Sequence, residues 1–533
     1  MPQMRSRREQ VDAHKFITSR MNQALVLANP DSIERPLRRI GLSIFVSVMV
    51  LALVFGGFAI ATLFNKGNAL PEIGHIITIK GSNAVYVYTT KSGNPPADAD
   101  DPDQPKLWEV ANYTSALLLV KPGSDGKPPV QDLKASSIAG IPRGSFTIGI
   151  LSVPAQPPDP EELLQNENWN TCSMPRTDGG TASFQLTQLI VQDLPDPDVW
   201  LGDDHWMLAK TAVKEEEGEV PTYYLLWNGH KHLIASDTAT ATTLASDLGL
   251  SIGDAMPLNE SMLVTIPDGP NIAPEVEDGF GEPSGVRDVE EVFIDYGQPV
   301  LSGNDLFTLL KTPAGDEFAR ITPTMALLLE SQYGATAEVD PTVRSEIGSE
   351  AEYLERGYPD ADLSEELWTD DSPRPAVCAV YDPQAQDRDS NELQIGMYSD
   401  APKELTGPAE SVEFIDGEIF SDVENLQAQT VLPQGRAALA DSLTDQGSTI
   451  QGFTYMISDQ GIRHGLVDDG ITDSTQQMLG YTDVKPVSVP VEMITLIPEG
   501  NALNPREARK QMYADDTEVP VYESESPSAE AGG

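Results

Sequence analysis

The residues whose types could do metal or redox chemistry are two cysteines and six histidines. Cys172 and Cys378 lie 206 residues apart, without a C-x-x-C spacing and without a histidine nearby in sequence. His230 and His232 alternate along a predicted strand, so they would face one side and could form a metal pair. A pair lacks the third ligand of a functional metal site, and a surface role is the competing interpretation. The sequence therefore predicts no metal and no cofactor.

The motifs of common catalytic machinery are missing from the sequence. There is no G-x-x-x-x-G-K-[ST] loop to hold phosphates, and Gly126-Lys127 is followed by proline. Neither G-x-S-x-G nor H-E-x-x-H occurs. Carboxylate pairs are too abundant to single out any two for acid–base work. The sequence therefore predicts no catalytic residue.

Composition and charge narrow the class of protein. The 533 residues include 34 basic and 83 acidic side chains, for a formal net charge of −49. Such a charge excludes a nucleic-acid binder held by phosphate contacts, which needs clustered Lys and Arg. With 40% hydrophobic residues the chain can bury real cores, and its length suits two to four domains.

The charge and hydropathy of the N-terminal region predict a membrane anchor. Residues 1–39 carry eight basic and four acidic side chains, and residues 40–64 carry no charge at all. About 20 apolar residues suffice to span a bilayer as a helix, so this stretch predicts a single-pass transmembrane helix. A cleaved signal peptide is the alternative, disfavoured by the length of the basic segment. Basic residues before the span predict a cytoplasmic N-terminus and an extracytoplasmic domain over 65–512; they are Arg35, Arg38 and Arg39.

The cytoplasmic segment 1–39 predicts a short amphipathic helix. Apolar residues recur at helical spacing in this segment; those predicted to dock a partner are Val11, Phe16, Ile17, Met21 and Leu25. The periodicity favours equally a helix lying on lipid and a helix docking on another protein.

The extracytoplasmic part repeats itself. Segments 224–266 and 455–497 match without gaps at an offset of 231 residues. Each predicts a hairpin, a short helix and a returning strand ending in Ile-Pro-acid-Gly, with turns at Asn228-Gly229 and Gln460-Gly461. Looser copies start near Leu107 and near Glu317. One irregular α+β domain with chance similarity is the alternative interpretation.

Other segments complete the predicted organisation. Strand-like segments at 290–296 and 377–381 are expected to form a central layer between the repeats. Residues 513–533 predict a disordered acidic tail. Outside the cytoplasm two lone cysteines most often pair, so Cys172 and Cys378 are predicted to form a structural disulfide.

The layout resembles the EccB family, a membrane component of actinobacterial type VII (ESX) secretion systems. The resemblance rests on the N-terminal pattern and on the repeat ends; the residues are Gln10-Val11, Phe16, Arg20, Ala24-Leu25, Pro36-Leu37-Arg38-Arg39, Ile266-Pro267 and Ile497-Pro498. It covers nearly the whole chain. It implies an α+β extracytoplasmic domain of about four βα repeats around a central β-rich domain, stapled by the disulfide. Together with the charge pattern, the expected fold class is a single-pass membrane protein with an N-terminal amphipathic helix and one transmembrane helix.

The same resemblance implies a function. The protein would be a structural subunit of the inner-membrane complex that exports WXG-type proteins. Its partners would be EccC-, EccD- and EccE-type membrane subunits, further copies of itself through the extracytoplasmic domain, and membrane lipid. Members of the family are sometimes described as ATPases, so a nucleotide-hydrolysing subunit is one alternative. A membrane-anchored cell-wall-binding receptor is another.

Overall fold

The computed structural model describes residues 7–27, 36–63, 69–90, 96–98, 100–124, 126–177, 183–202, 205–213, 218–274, 276–350, 363, 367, 375–385, 393–406, 429–443, 449–470 and 473–510. The contacts between residues divide the chain into two units. The smaller comprises 1–72, 77–84 and 130–142, and the larger comprises 73–76, 85–129 and 143–533. The acidic tail predicted over 513–533 lies outside the described residues.

The helices are α1 (Arg7–Leu27), α2 (Pro36–Leu63), α3 (Tyr113–Leu117), α4 (Thr238–Asp247), α5 (Glu260–Thr265), α6 (Pro323–Tyr333), α7 (Pro341–Ile347), α8 (Thr475–Met478), α9 (Val491–Thr495) and α10 (Pro505–Ala508). The strands up to the middle of the chain are β1 (His75–Ile79), β2 (Val85–Thr89), β3 (Lys106–Val110), β4 (Val130–Leu133), β5 (Leu163–Leu164), β6 (Trp169–Thr177), β7 (Ser183–Val191), β8 (Val199–Leu201), β9 (Met207–Thr211), β10 (Tyr223–Trp227), β11 (His230–Ala235) and β12 (Met256–Leu258). The later strands are β13 (Pro283–Arg287), β14 (Phe293–Asp295), β15 (Pro299–Ser302), β16 (Asp305–Thr312), β17 (Gly315–Arg320), β18 (Ala337–Glu338), β19 (Ser349–Glu350), β20 (Ala376–Tyr381), β21 (Leu393–Tyr398), β22 (Gln429–Val431), β23 (Ala437–Leu443), β24 (Thr449–Ser458), β25 (Arg463–Leu466) and β26 (Val487–Pro490).

The smaller unit corrects the predicted membrane span. It contains α1 and α2, yet no helix among the described residues combines the length and the apolar character that crossing a bilayer requires. The single transmembrane helix expected over 40–64 is therefore wrong.

The larger unit is built from repeats of one plan. In the second repeat, R2 (207–272), the sheet order is β11-β10-β9-β12, with β12 parallel to β9. Asn228 and Gly229 form the predicted hairpin turn, with φ of 45° and 73°, because both central residues of a tight twisted hairpin turn need positive φ. Asp237 caps α4 by accepting a hydrogen bond from the Thr240 amide at 2.9 Å.

The third and fourth repeats follow the same plan. R4 (437–503) has the order β25-β24-β23-β26, with β26 parallel to β23. R3 (299–350) has β17-β16-β15-β18, with β18 parallel to β15, and β19 is added beside β17. In the first repeat, R1 (85–120 and 143–154 in the larger unit), β2 and β3 pair antiparallel and α3 follows them.

A central sheet lies between the repeats in chain order. Its strand order is β22-β7-β6-β20-β21-β8. Every residue from Ala376 to Tyr381 is buried, so the strand predicted at 377–381 is central. The segment 290–296, expected in the same layer, instead belongs to a separate two-stranded hairpin of β13 and β14, and that expectation was wrong.

The hydrophobic cores show how the repeats associate. R1 and R4 share one core, which includes Val87, Leu118, Leu439 and Met456. R2 and R3 share another, which includes Leu225, Ala241, Leu310 and Leu328. One face of the central sheet packs against R4 through Trp169 and Ile457, and against R2 through Val377 and Met262. The chain order R1, centre, R2, R3, centre, R4 is thus folded into two repeat pairs on one sheet.

Candidate functional site

The disulfide lies in the middle of the central sheet. Cys172 on β6 and Cys378 on β20 are directly opposite partners in an antiparallel pair, with their Cα atoms 4.0 Å apart. Both residues are fully buried. The structure thus contains the disulfide that the sequence predicts, on the face of the sheet opposite to the one that packs against R2 and R4. It closes the base of the loop that carries R2 and R3.

A second structural joint occurs in both R2 and R4, and we call it the clasp. In each, the segment Ile-Pro-acid-Gly lies beside the second hairpin strand. In R2, the Lys231 amide donates to Pro267 O and the Gly269 amide donates to Lys231 O, both at 2.9 Å. In R4, the Arg463 amide donates to Pro498 O and the Gly500 amide donates to Arg463 O, also at 2.9 Å. The clasp therefore ties the end of each repeat to its hairpin.

A buried imidazole packs against the clasp glycine. His232 and His464 are 2% and 1% exposed. Each Nδ1–H donates to a backbone carbonyl, of Pro270 at 2.9 Å and of Asn501 at 2.8 Å. A Cβ on Gly500 would lie 2.6 Å from His464 Cε1, so only glycine lets the ring and the backbone approach this closely. Neither Gly269 nor Gly500 has a positive φ, so the glycine is required for space.

R1 contains the same joint with a different ring. Trp108 follows Leu107 on β3, and the Gly144 amide donates to Leu107 O at 3.0 Å. A Cβ on Gly144 would lie 2.6 Å from Trp108 Cδ2. Gly144 ends Ile141-Pro142-Arg143-Gly144, which has the Ile-Pro and Gly of the R2 and R4 motif but a basic residue in place of the acid. A flat ring against a glycine is therefore the common element of all three joints.

The basic residue before each histidine caps a helix. Lys231 Nζ donates to Ile266 O after α5, and it lies 3.0 Å from Asp268. Arg463 Nη1 donates to Ile494 O in α9 at 3.1 Å, and its guanidinium pairs with Glu499 at 3.2 Å. A positive charge at a helix C-terminus interacts favourably with the last carbonyls and with the negative end of the helix dipole.

Burial controls the protonation of both imidazoles. It lowers the pKa of His232, with smaller influences from the Pro270 carbonyl, which raises it, and the nearby His230, which lowers it. Burial also lowers the pKa of His464, and the hydrogen bond to the Asn501 carbonyl opposes it. The His232 Nε2 atom is buried, and the Trp227 backbone is a further small influence that raises the pKa. Both clasps favour neutral histidine.

The clasp was missed by the sequence comparison because that comparison allowed no gap. Tyr224 and Tyr455 align at an offset of 231, but His232 and His464 correspond at 232. The hairpin turn of R4 is one residue longer, and the register returns before Asp237 and Asp468. A one-residue gap at the Gly229 turn would have aligned the basic-His pair in both copies.

The predicted docking helix is present as α1. The five residues predicted to dock a partner are all exposed; the exposed fractions are 52% for Val11, 61% for Phe16, 64% for Ile17, 62% for Met21 and 78% for Leu25. The Arg20 guanidinium lies 5.4 Å from the Phe16 ring centroid. Arg35 lies outside the described residues, as do the side chains of Arg38 and Arg39.

The features considered for metal chemistry do not converge. The rings of His230 and His232 lie 6.4 Å apart, and the described residues include no group of three or more His, Cys, Asp or Glu side chains that could hold a metal. A cavity of about 210 Å³ is lined by residues of R1, R4 and the connection between R1 and β5, among them Asp159, Arg436 and Asp459. A shallower one of about 560 Å³ lies beside the R4 clasp at Ser152 and Gly500.

These features define a protein of joined repeats: among the described residues, the distinctive geometry lies in the central disulfide and in the clasps. The chain belongs to the EccB family of type VII secretion proteins. The family model described as "Type VII secretion system ESX-1, transport TM domain B" matches residues 4–516. The protein is therefore a component of a type VII secretion system.

Relatives and solved structures agree with this membership. The ESX-1 secretion system ATPase EccB1 of Mycobacterium tuberculosis is 23% identical over 500 residues, which cover 93% of this chain and 92% of the relative. The structure of an intact ESX-5 inner membrane complex contains a chain of similar fold, with a TM-score of 0.59, 19% identity, and coverage of 97% and 98% of the two chains. The EccB3 dimer from the ESX-3 core complex gives a TM-score of 0.55 at 17% identity, covering 81% of this chain and 99% of that one. At these identities the structural similarity establishes the fold.

Proposed function

We propose that this protein is an assembly subunit of a type VII secretion inner-membrane complex. In this proposal the larger unit is a rigid extracytoplasmic scaffold, and α1 docks on a neighbouring subunit. The neighbours are membrane subunits of the EccC, EccD and EccE types, and the exported cargo consists of WXG-type proteins. Self-association through the larger unit completes the assembly. The cytoplasmic placement of the N-terminus stays a prediction.

The observation that carries the proposal is the buried disulfide at the base of the R2–R3 loop. A disulfide persists in an oxidising compartment, which supports an extracytoplasmic position for the larger unit. Because the disulfide lies in the central sheet, it fixes the two sheet halves from which the repeat pairs emerge.

The apolar residues of α1 support the docking part of the proposal. Five apolar side chains more than half exposed on one helix of 21 residues are costly in water unless another surface covers them. An amphipathic helix set into an apolar groove is a common way for proteins to associate. A partner protein that supplies such a groove would bury Phe16 and Met21, which are large apolar side chains of α1.

Extraction in a mild detergent, with a tag at the C-terminus, tests the proposal. We expect a particle of about megadalton size that contains a membrane protein with several ATPase domains. Phe16→Ser with Met21→Ser should reduce that co-purification at least tenfold. Gln10→Ser with Asn22→Ser is the matched control, because it changes exposed polar positions of the same helix. A single subunit that persists across several mild detergents would contradict the assembly role.

A further inference from the structure

The β13–β14 hairpin, residues 283–295, stands outside the plan shared by the repeats. It is a two-stranded sheet before the first strand of R3. Val286 and Ile294 turn inward and are buried in the R3 core. Val289, Val292 and Phe293 turn outward and are 54%, 57% and 52% exposed. The hairpin therefore presents three large apolar side chains to solvent at one end.

The apolar end of the hairpin is held in a fixed shape. The Val289 amide donates to Glu338 O of R3 at 2.8 Å. Asp288 Oδ1 accepts from the Glu290 amide at 2.9 Å and from the Val292 amide at 2.8 Å. Glu291 has a φ of 67°, a left-handed conformation that side chains other than glycine rarely adopt. Strained residues of this kind persist where the surrounding structure holds them, and they concentrate at functional positions.

An arginine completes the apolar surface. The Arg287 guanidinium lies 4.0 Å from the centroid of the Phe293 ring. Arg287 Nη1 also donates to Glu291 O at 3.0 Å, which fixes the stack. A rigid aromatic ring beside an arginine is the composition of an interface anchor, since aromatic residues and arginine carry most of the energy of many interfaces.

The charge around the hairpin selects the partner. Residues 277–295 contain seven acidic side chains and one basic side chain. A second copy of this chain would bring the same acidic hairpin, so like charges oppose a contact between two hairpins. Anionic lipid headgroups are opposed for the same reason. A partner with an apolar socket rimmed by Lys and Arg fits both features.

We infer that the β13–β14 hairpin is a docking knob for a basic-rimmed apolar socket on another protein of the secretion complex. This inference rests on the proposed function, since it names a surface through which the scaffold binds a neighbour. Val289, Val292 and Phe293 enter the socket, and Asp288, Glu290 and Glu291 meet the basic rim.

Site-specific photocrosslinking in the intact complex tests this inference. A benzoyl-phenylalanine replaces Phe293 in the full chain, and a matched control places it at Val220, which is 55% exposed on R2. We expect position 293 to crosslink to a different subunit, through a peptide of net positive charge, and to lose the crosslink at 0.5–1 M salt, roughly, where screening is strong. A crosslink to a second copy of this chain, or to lipid, overturns the inference, as does no crosslink.

A variant and a wild-type control separate the two proposals. Val292→Ser with Phe293→Ser changes only exposed side chains, so the fold is preserved. The amount of the crosslinked subunit that co-purifies should fall at least tenfold. Val220→Ser should leave its retention unchanged. If the wild-type complex forms but the hairpin variant keeps every subunit, the docking knob is refuted while the assembly role stands. If the wild-type chain assembles with nothing, both are refuted.

Discussion

Gly500→Ala perturbs the R4 clasp by a single methyl group. The added Cβ would lie 2.6 Å from His464 Cε1 and 2.6 Å from Ile462 Cγ2. Carbon atoms in good contact are separated by about 3.5–4.0 Å. The backbone at Gly500 is outside the left-handed region, so alanine is conformationally acceptable there. The steric overlap is therefore the whole expected effect.

The overlap cannot be relieved by moving the ring into solvent. His464 is 1% exposed, and its Nδ1 is held by the Asn501 carbonyl at 2.8 Å. Overpacking of a closed site costs about 1–3 kcal/mol. With about 1.4 kcal/mol for each factor of ten, the opening equilibrium of the clasp should rise by about 5- to 150-fold. The amides of Gly500 and Leu503 report this opening, since they donate to Arg463 O and Gly465 O across the joint.

Hydrogen exchange with mass spectrometry on the full chain in detergent measures the effect. Peptides that cover 498–505 should lose protection by that factor in Gly500→Ala. Gly202→Ala is the matched control, because its Cβ meets nothing within 4 Å and its φ is not positive, and its protection should change by less than about twofold. The double variant His464→Ala with Gly500→Ala should lose less protection, expressed as free energy, than the sum of the losses in the two single variants. Strict additivity, or an unchanged exchange in Gly500→Ala, would refute the steric reasoning.

The remaining predictions concern charge, protonation and the disulfide. Burial lowers the pKa of the two clasp histidines, so their contribution to stability is complete above the unfolded pKa near 6.5. As the pH drops below that value, the free energy of unfolding should fall by up to about 1.4 kcal/mol per pH unit for each histidine. Replacing both by Asn should flatten the pH dependence of the thermal midpoint between roughly pH 5 and 6.5, and an unchanged slope would contradict this. Arg463→Met should cost about 1–3 kcal/mol, since it removes the hydrogen bond to the end of α9 and the contact with the partly buried Tyr455 ring. Glu499→Gln should cost less than about 1 kcal/mol at its exposed position. Equal losses of the two variants in chemical denaturation would contradict this prediction. Replacing Cys172 and Cys378 by Ala should lower the free energy of unfolding by about 4–5 kcal/mol. The wild-type disulfide is buried, so it should resist reduction until denaturant unfolds the sheet. Rapid reduction under native conditions would argue against its burial.

The repeat plan was the part of the fold that the sequence could predict. Asn-Gly at 228–229, an Asp cap at 237 and an Ile-Pro-acid-Gly ending are local signals, and local signals set turns and helix starts without help from the rest of the chain. The pairing of Cys172 with Cys378 follows from their number and compartment. These predictions needed no knowledge of which repeat packs on which.

The hairpin at 290–296 shows where strand prediction fails. Its apolar run at 292–294 predicts a strand, and a strand does form there, from Phe293 to Asp295. A strand buried on both faces shows a continuous apolar run, as Ala376–Tyr381 does. The acidic residues Glu290 and Glu291 therefore argue against a central position, and weighing them would have separated the two segments.

The span at 40–64 was predicted from hydropathy. The clasp could not be predicted from the sequence for a different reason. An aromatic or imidazole ring against glycine is a contact between segments about 36 residues apart, as in His232 and Gly269. Hydrophobic periodicity describes one face of one element, so it has no means to register that contact. Only an alignment with a gap at the hairpin turn would have shown that the ring and the glycine recur together.

The association of R1 with R4 follows from the order of the chain and the pairing of two strands. Because β6 and β20 are neighbours in the central sheet, the segment between them must leave and return at the same place. R2 and R3 occupy that loop and meet each other there. R1 precedes the sheet and R4 follows it, so these two are the repeats left to pair, and they share a core that the carbonyl of Leu151 and the side chain of Asn501 join at 2.7 Å. Asn501 is also the residue whose carbonyl holds His464, so the R4 clasp and the R1–R4 junction are mechanically one joint. Opening the clasp should therefore loosen R1 as well, which places the buried histidine of R4 at the point where the beginning and the end of the scaffold are held together.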